Sequence, residues 1–127
     1  MYSEIVKEYF ENPINLGIIK DADAIGIIEN ESCSDIIKIY IKVDKNNIIK
    51  DAKFEAKGCP PVIAACCAIT ELIKGMNVYE TKYITANEII KQLNGIPKEK
   101  EHCAELVEKT LKQTISNFTG NRNCWIR

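Results

Sequence analysis

Two runs of alternating residues joined by a short turn constrain this chain most. Between Ile36 and Val43, Ile37, Ile39, Ile41 and Val43 fall on one side, and Lys38, Tyr40 and Lys42 on the other. That period of two is the mark of a strand with one face buried. Asp44-Lys45-Asn46-Asn47 supplies turn chemistry. From Ile48 to Lys57 the alternation resumes, with Ile48, Ala52, Phe54 and Ala56 on one face and Asp51, Lys53, Glu55 and Lys57 on the other. The pair reads as an antiparallel hairpin whose apolar face must be covered by other elements.

The cover comes from the segments on either side. At Pro60 the period lengthens: Val62, Ile63, Cys66, Ile69, Thr70 and Ile73 recur at three and four, and Lys74-Gly75 ends the helix. Asn77 to Tyr83 and Thr85 to Leu93 read as two short helices, the second closing at Asn94-Gly95. Glu101 to Phe118 is a long amphipathic helix with Ala104, Val107, Leu111, Ile115 and Phe118 inward and Gly120 as its stop. At the other end, Ser3 caps a helix carrying Ile5, Val6, Tyr9 and Phe10, which Asn12-Pro13 stops. Ile14 to Asn30 reads as loop, with a short strand around Gly26 to Glu29. The expected fold is α+β: a small antiparallel sheet of about three strands, helices packed on one face, an N-terminal helix and a long C-terminal helix. Residues 1–127 are expected to form one domain, with the tail from 119 to 127 loosely held.

Composition narrows the function. The chain has 127 residues, 46% of them hydrophobic and 28% charged, enough for a real core. The net charge is -1, and no Lys/Arg cluster forms a stripe of the kind nucleic acids need. No apolar run nears the roughly 18 residues of a membrane span, and the acids in MYSEIVKEYFENP do not suit a targeting peptide. A cytoplasmic protein is expected. In that setting the six cysteines are expected to be reduced thiols rather than a disulfide framework.

Three separated segments each end in a group that could bind a metal. Cys59, between strand and helix, is held extended by Pro60 at the positive end of a helix dipole, a place that favours thiolate. The same residue could simply fill a loop corner. Cys33 and Asp35, two apart in extended chain, point to one side. His102, the only histidine, stands beside Cys103 at a helix start, and imidazole and thiolate are the usual soft-metal donors. Cys66 and Cys67 are different. Cys66 shares the helix face of Cys59 but lies roughly 10 Å further along it, too far for one metal. Both are expected in the core, Cys67 half-buried, and Cys124 is a tail thiol. Pattern alone leads to a metal or sulfur site.

The residues around these groups resemble the iron–sulfur cluster assembly scaffold family, the IscU proteins and the N-terminal domain of NifU. YSEIVKEYFENPINLG is similar to the family's opening, with Asn12, Pro13, Asn15 and Gly17 in register. ESCSDIIKIYIKV, IIKDAKFEAKGCPPVIAACCAITELIKG and IPKEKEHCAEL resemble its three cysteine segments. The resemblance implies that Cys33, Cys59 and Cys103 accept sulfur and hold a [2Fe-2S] cluster, with Asp35 and His102 as a fourth, exchangeable ligand or tuner. It implies a cysteine desulfurase as sulfur source, apoproteins as recipients, no substrate turnover by the scaffold itself, and room for a homodimer. Zinc can occupy the same ligand set, as in zinc-bound SufU relatives that act as sulfurtransferases. Those relatives carry a long insertion between the second and third cysteines, which this chain lacks. The family's Gly after the first cysteine is Ser34 here, and a small flexible pair after the second is Pro60-Pro61. Ile96-Pro97-Lys98-Glu99-Lys100 lacks the second Pro and the Val of the family's Leu-Pro-Pro-Val-Lys segment, which counts against an Hsp70-type chaperone partner.

Overall fold

The computed structural model describes residues 2–30 and 34–126, with side chains described as far as residue 120. Three strands, β1 (Ala24–Asn30), β2 (Asp35–Val43) and β3 (Ile49–Lys57), form an antiparallel sheet in the order β1-β2-β3. Helices α1 (Glu4–Glu11), α2 (Pro60–Ile73), α3 (Ala86–Gln92) and α4 (Glu101–Ile126) complete the fold, with 3₁₀ segments at Val78–Tyr83 and Lys98–Lys100. Helix α2 packs on β3, α4 lies across β1 and β2, α1 rests on α2, and α3 on α4. This is the α+β arrangement that the alternation and the change of period required.

The central strand organises the core. Ile37, Ile39 and Ile41 are fully buried, and Phe54 and Ala52 of β3 join them beneath Val62, Ala65, Cys66 and Ile69 of α2. Each fully buried isoleucine contributes about 1.5–3 kcal/mol, so this one cluster supplies several kcal/mol to the domain. On the opposite side of β2, Tyr40 is nearly as buried, and its hydroxyl donates to Glu55 Oε1 at 2.6 Å. Local signals fix the ends of the helices. Ser3 Oγ accepts from the Val6 N–H at 3.1 Å and donates to the Leu93 carbonyl at 2.6 Å, so one cap also ties α1 to the end of α3. Gly75 turns the chain at φ 86 after α2.

Three sequence expectations change. The inward residue at the start of β3 is Ile49, fully buried, and Ile48 is only partly so. Val43 pairs with Ile49 and Lys42 with Asp51, so Lys50 is an extra residue, a bulge that shifts the alternation by one. Strand β1 runs over seven residues instead of the short stretch around Gly26 to Glu29. Its register with β2, from Ala24↔Ile41 to Asn30↔Asp35, turns Ala24, Gly26 and Ile28 to the core and Ile25 and Ile27 outward. Finally, α4 does not stop at Gly120 but continues to Ile126. Gly120 lacks the positive φ of a terminating glycine, and a helical glycine costs only about 1 kcal/mol against alanine.

Two glycines make this testable. A Cβ on Gly26 would overlap Thr114 Oγ1 and stand 2.7 Å from Thr114 N and 2.9 Å from the Thr110 carbonyl, where strand and helix backbones approach. Gly26→Ala is expected to destabilise by about 1–3 kcal/mol. Nothing lies within 4 Å of a Cβ on Gly120, so Gly120→Ala is expected to stabilise by up to about 1 kcal/mol. Urea unfolding midpoints at constant m-value read both.

Candidate metal and sulfur site

Strand β3 passes into α2 through Gly58 and Cys59 alone. Cys59 is the N-cap of α2, extended at φ -76 and ψ 169, with prolines at the first helical positions. The first amides that α2 can offer, Val62 N–H and Ile63 N–H, both go to the Cys59 carbonyl, at 3.0 and 3.2 Å. The prolines have no N–H, so these amides offer the Cys59 sulfur no free donor. Cys59 is half-exposed.

Helix α4 brings the second sulfur to the same place. The 3₁₀ turn Lys98–Lys100 leads directly into Glu101, and Cys103 in the first turn of α4 is fully buried. Its Sγ lies 3.7 Å from Cys59 Sγ and 3.7 Å from His102 Nε2, while His102 itself is exposed. Burial, then the neighbouring Cys59 sulfur, push the Cys103 thiol far above its ordinary value, Asp35 adding to this and Lys100 opposing it. Asp35, at the start of β2, is only 7% exposed. Its Oδ1 lies 3.1 Å from where a Cβ on Gly58 would stand, and Val62 Cγ1 lies 3.0 Å from that point. A side chain there would require the carboxylate or Val62 of α2 to give by a few tenths of an ångström.

A cavity of about 410 Å³ opens at this end, lined by Ser34, Asp35, Lys57, Gly58, Cys59, Lys100 and His102. Of the five expected site residues, the structure thus brings Asp35, Cys59, His102 and Cys103 to one end of the domain. Cys33 lies outside the described residues. Among the described residues no three Cys, His, Asp or Glu side chains converge as a ready-made metal site. Ser34 sits at φ 59, a left-handed conformation that costs a non-glycine residue on the order of 1–2 kcal/mol. Sequence reasoning missed Lys57 and Lys100 as walls of this cavity. A usable signal for Lys100 was its place two residues before His102 in a tight turn.

Cys66 and Cys67 are both fully buried, Cys67 more deeply than the half-burial expected of it. Burial drives the Cys66 thiol well above its ordinary value, and drives Cys67 up to about 11. Cys67 also lies 3.8 Å from the Tyr9 carbonyl of α1. These are packing thiols beneath the sheet and α1.

The comparisons with known proteins fit this geometry. The NifU-like N-terminal domain family matches residues 1–125. The chain is 42% identical over 118 residues to the iron–sulfur cluster assembly scaffold protein IscU 1 of Archaeoglobus fulgidus, covering 93% of this chain and 76% of that one. It is 38% identical over 120 residues to the nitrogen fixation protein NifU of Azotobacter chroococcum, covering 94% of this chain and 39% of that protein. The crystal structure assigned as the SUF-system iron–sulfur cluster assembly scaffold (FiSufU) of Fervidobacterium islandicum AW-1 superposes with a TM-score of 0.74 at 26% identity. That match covers 90% of this chain and 96% of the other. The chain belongs to the NifU-like N-terminal domain family. Among the described residues no helix is long and apolar enough to cross a membrane.

Exposure and burial order the four described thiols by reactivity. With a limiting alkylating agent at neutral pH, native Cys59 is expected to label at least about tenfold faster than Cys66, Cys67 or Cys103. Peptide mapping of the labelled protein checks the order, and equal labelling of Cys59 and Cys66 would overturn it.

Proposed function

We propose that this chain is an iron–sulfur cluster assembly scaffold. On this reading iron and desulfurase-derived sulfur are its substrates, a [2Fe-2S] cluster is its product, and recipient apoproteins take that product away in the cytoplasm. Cys33, Cys59 and Cys103 are the proposed cluster ligands, with Asp35 and His102 sharing the fourth position. The observation that carries the reading is the 3.7 Å contact between Cys59 Sγ and Cys103 Sγ. Two thiolates about 2.3 Å from one tetrahedral metal stand about 3.8 Å apart, so this pair needs little rearrangement to hold one. Thiolates select iron–sulfur chemistry over hard cations.

The chain's own groups divide the work. Half-exposed Cys59 is the thiol that an incoming sulfur donor reaches first, because Cys103 is sealed beneath it. Asp35 places a carboxylate beside Gly58, and exposed His102 presents an imidazole next to Cys103. A carboxylate or imidazole in place of a fourth thiolate holds a cluster less firmly, which suits a donor. Lys57 and Lys100 border the cavity and offset the negative charge that a thiolate-bound cluster would carry.

A second reading is a zinc-dependent, persulfide-accepting sulfurtransferase of the SufU kind. What supports it is that zinc accepts the same sulfur spacing, and a SUF-system scaffold shares this fold. Anaerobic purification followed by reconstitution with iron and a sulfide source separates the two. The scaffold reading expects bound iron and acid-labile sulfide with a visible chromophore. Stoichiometric zinc that resists replacement, with no chromophore, would sink it. In a Cys-to-Ser series, changes at Cys33, Cys59 and Cys103 are each expected to lower cluster occupancy by at least the roughly 10–100-fold that outer-shell changes cause. Changes at Cys66, Cys67 and Cys124 are expected to leave it intact.

A further inference from the structure

The contact between Cys59 and Cys103 has chemistry of its own when no metal is present. We infer that the two thiols form a resolving pair: once Cys59 carries a persulfide, Cys103 attacks its inner sulfur, closes a Cys59–Cys103 disulfide and expels the outer sulfur as sulfide. The inference rests on the reading that Cys59 accepts persulfide sulfur.

The reaction balances without an outside reductant. Cys59–S–SH and Cys103–SH give Cys59–S–S–Cys103 and H₂S. One S–S bond breaks and another forms. The outer sulfur takes the electron pair and, overall, the Cys103 proton, while the Cys103 sulfur is oxidised to the disulfide level. The incoming sulfur comes from a donor of the persulfide class, and each chain turns over once until a dithiol reductant reopens the bond.

Geometry assigns the roles. The sulfurs are in van der Waals contact at 3.7 Å. No side-chain capping bond holds Cys59 Sγ, so rotation about χ1 remains open to it. Cys59 is half-exposed and meets the donor, while Cys103 is fully buried, its sulfur 3.7 Å from Cys59 Sγ and 3.7 Å from His102 Nε2. No other described thiol fits, since Cys66 and Cys67 lie roughly two turns deeper in α2. Burial disfavours the Cys103 thiolate, which slows its attack. Contact offsets that, because well-oriented intramolecular reactions reach effective molarities of about 10⁵ M and above. A bound metal ties up both sulfurs, so the loaded protein is expected to resist this reaction.

The experiment uses the metal-free, fully reduced chain, mixed anaerobically with one equivalent of glutathione persulfide and then rapidly desalted. Sulfide is assayed, intact mass is measured, and a non-reducing peptide map is recorded. The expected result is about one sulfide per modified chain, a loss of two hydrogens in mass, and a peptide joining Cys59 to Cys103. Cys103→Ser is expected to retain one added sulfur on Cys59 and to release sulfide at least about tenfold more slowly. A wild-type chain that keeps its added sulfur, a cross-link to Cys33 instead, or equally fast release from Cys103→Ser would overturn the inference. Should Cys103→Ser fail to fold, the wild-type map decides alone. No iron is present, so failure here with successful cluster reconstitution removes only the resolving pair. Disulfide formation without cluster reconstitution removes only the scaffold.

Discussion

Strand β3 and helix α2 are both fixed by the core, and only Gly58 and Cys59 separate them. That short handover leaves the Cys59 backbone little freedom. Pro60 and Pro61 narrow it further by fixing φ and holding the preceding residue extended. The absence of a side chain at Gly58 then lets Asp35 and Val62 close in from either side. The reactive end of the molecule is therefore set by the packing of Phe54, Val62 and Ile69 below it, and not by bonds within the site. Helix α4 is positioned in the same way: its close approach to β1 at Gly26 and Thr114 fixes where its first turn, and hence Cys103, emerges.

Burial sorts otherwise identical side chains. Cys59, Cys66, Cys67 and Cys103 share one functional group, yet only Cys59 is reachable from solvent. Taking a thiol out of water disfavours its thiolate, so the buried ones are inert unless a metal or a neighbouring sulfur supplies a reason to react. Cys103 has a neighbouring sulfur, that of Cys59, 3.7 Å away, whereas the sulfur of Cys67 rests near a backbone carbonyl of α1. The double proline has the converse effect. With no free amide from the first turn of α2, the cavity relies on side chains, Ser34, Asp35, Lys57, Lys100 and His102, for its polar character.

Much of this was legible in the sequence, and the exceptions have physical causes. β2 was readable because charged or polar residues separate its isoleucines. β1 was under-read because its outward residues, Ile25 and Ile27, are as apolar as its inward ones, so no alternation shows. The bulge at Lys50 was hidden because Ile48 and Ile49 are the same residue, and only pairing reveals which of them faces inward. Gly120 resembled a stop, but a terminating glycine must adopt positive φ, and this one continues the helix.

The sequence by itself determined the hairpin, the change of period at Pro60, the extended cysteine at that helix start and the family to which the chain belongs. Local spacing, proline geometry and side-chain chemistry are properties of neighbours along the chain, so a single sequence records them. Only the tertiary structure decided that Cys59, from the β3–α2 junction, stands 3.7 Å from Cys103, 44 residues later. The same holds for which of the two sulfurs is open to solvent and for the lysines that border their cavity. Those facts depend on how α2 and α4 pack on one sheet, and no pattern within either helix encodes that distance.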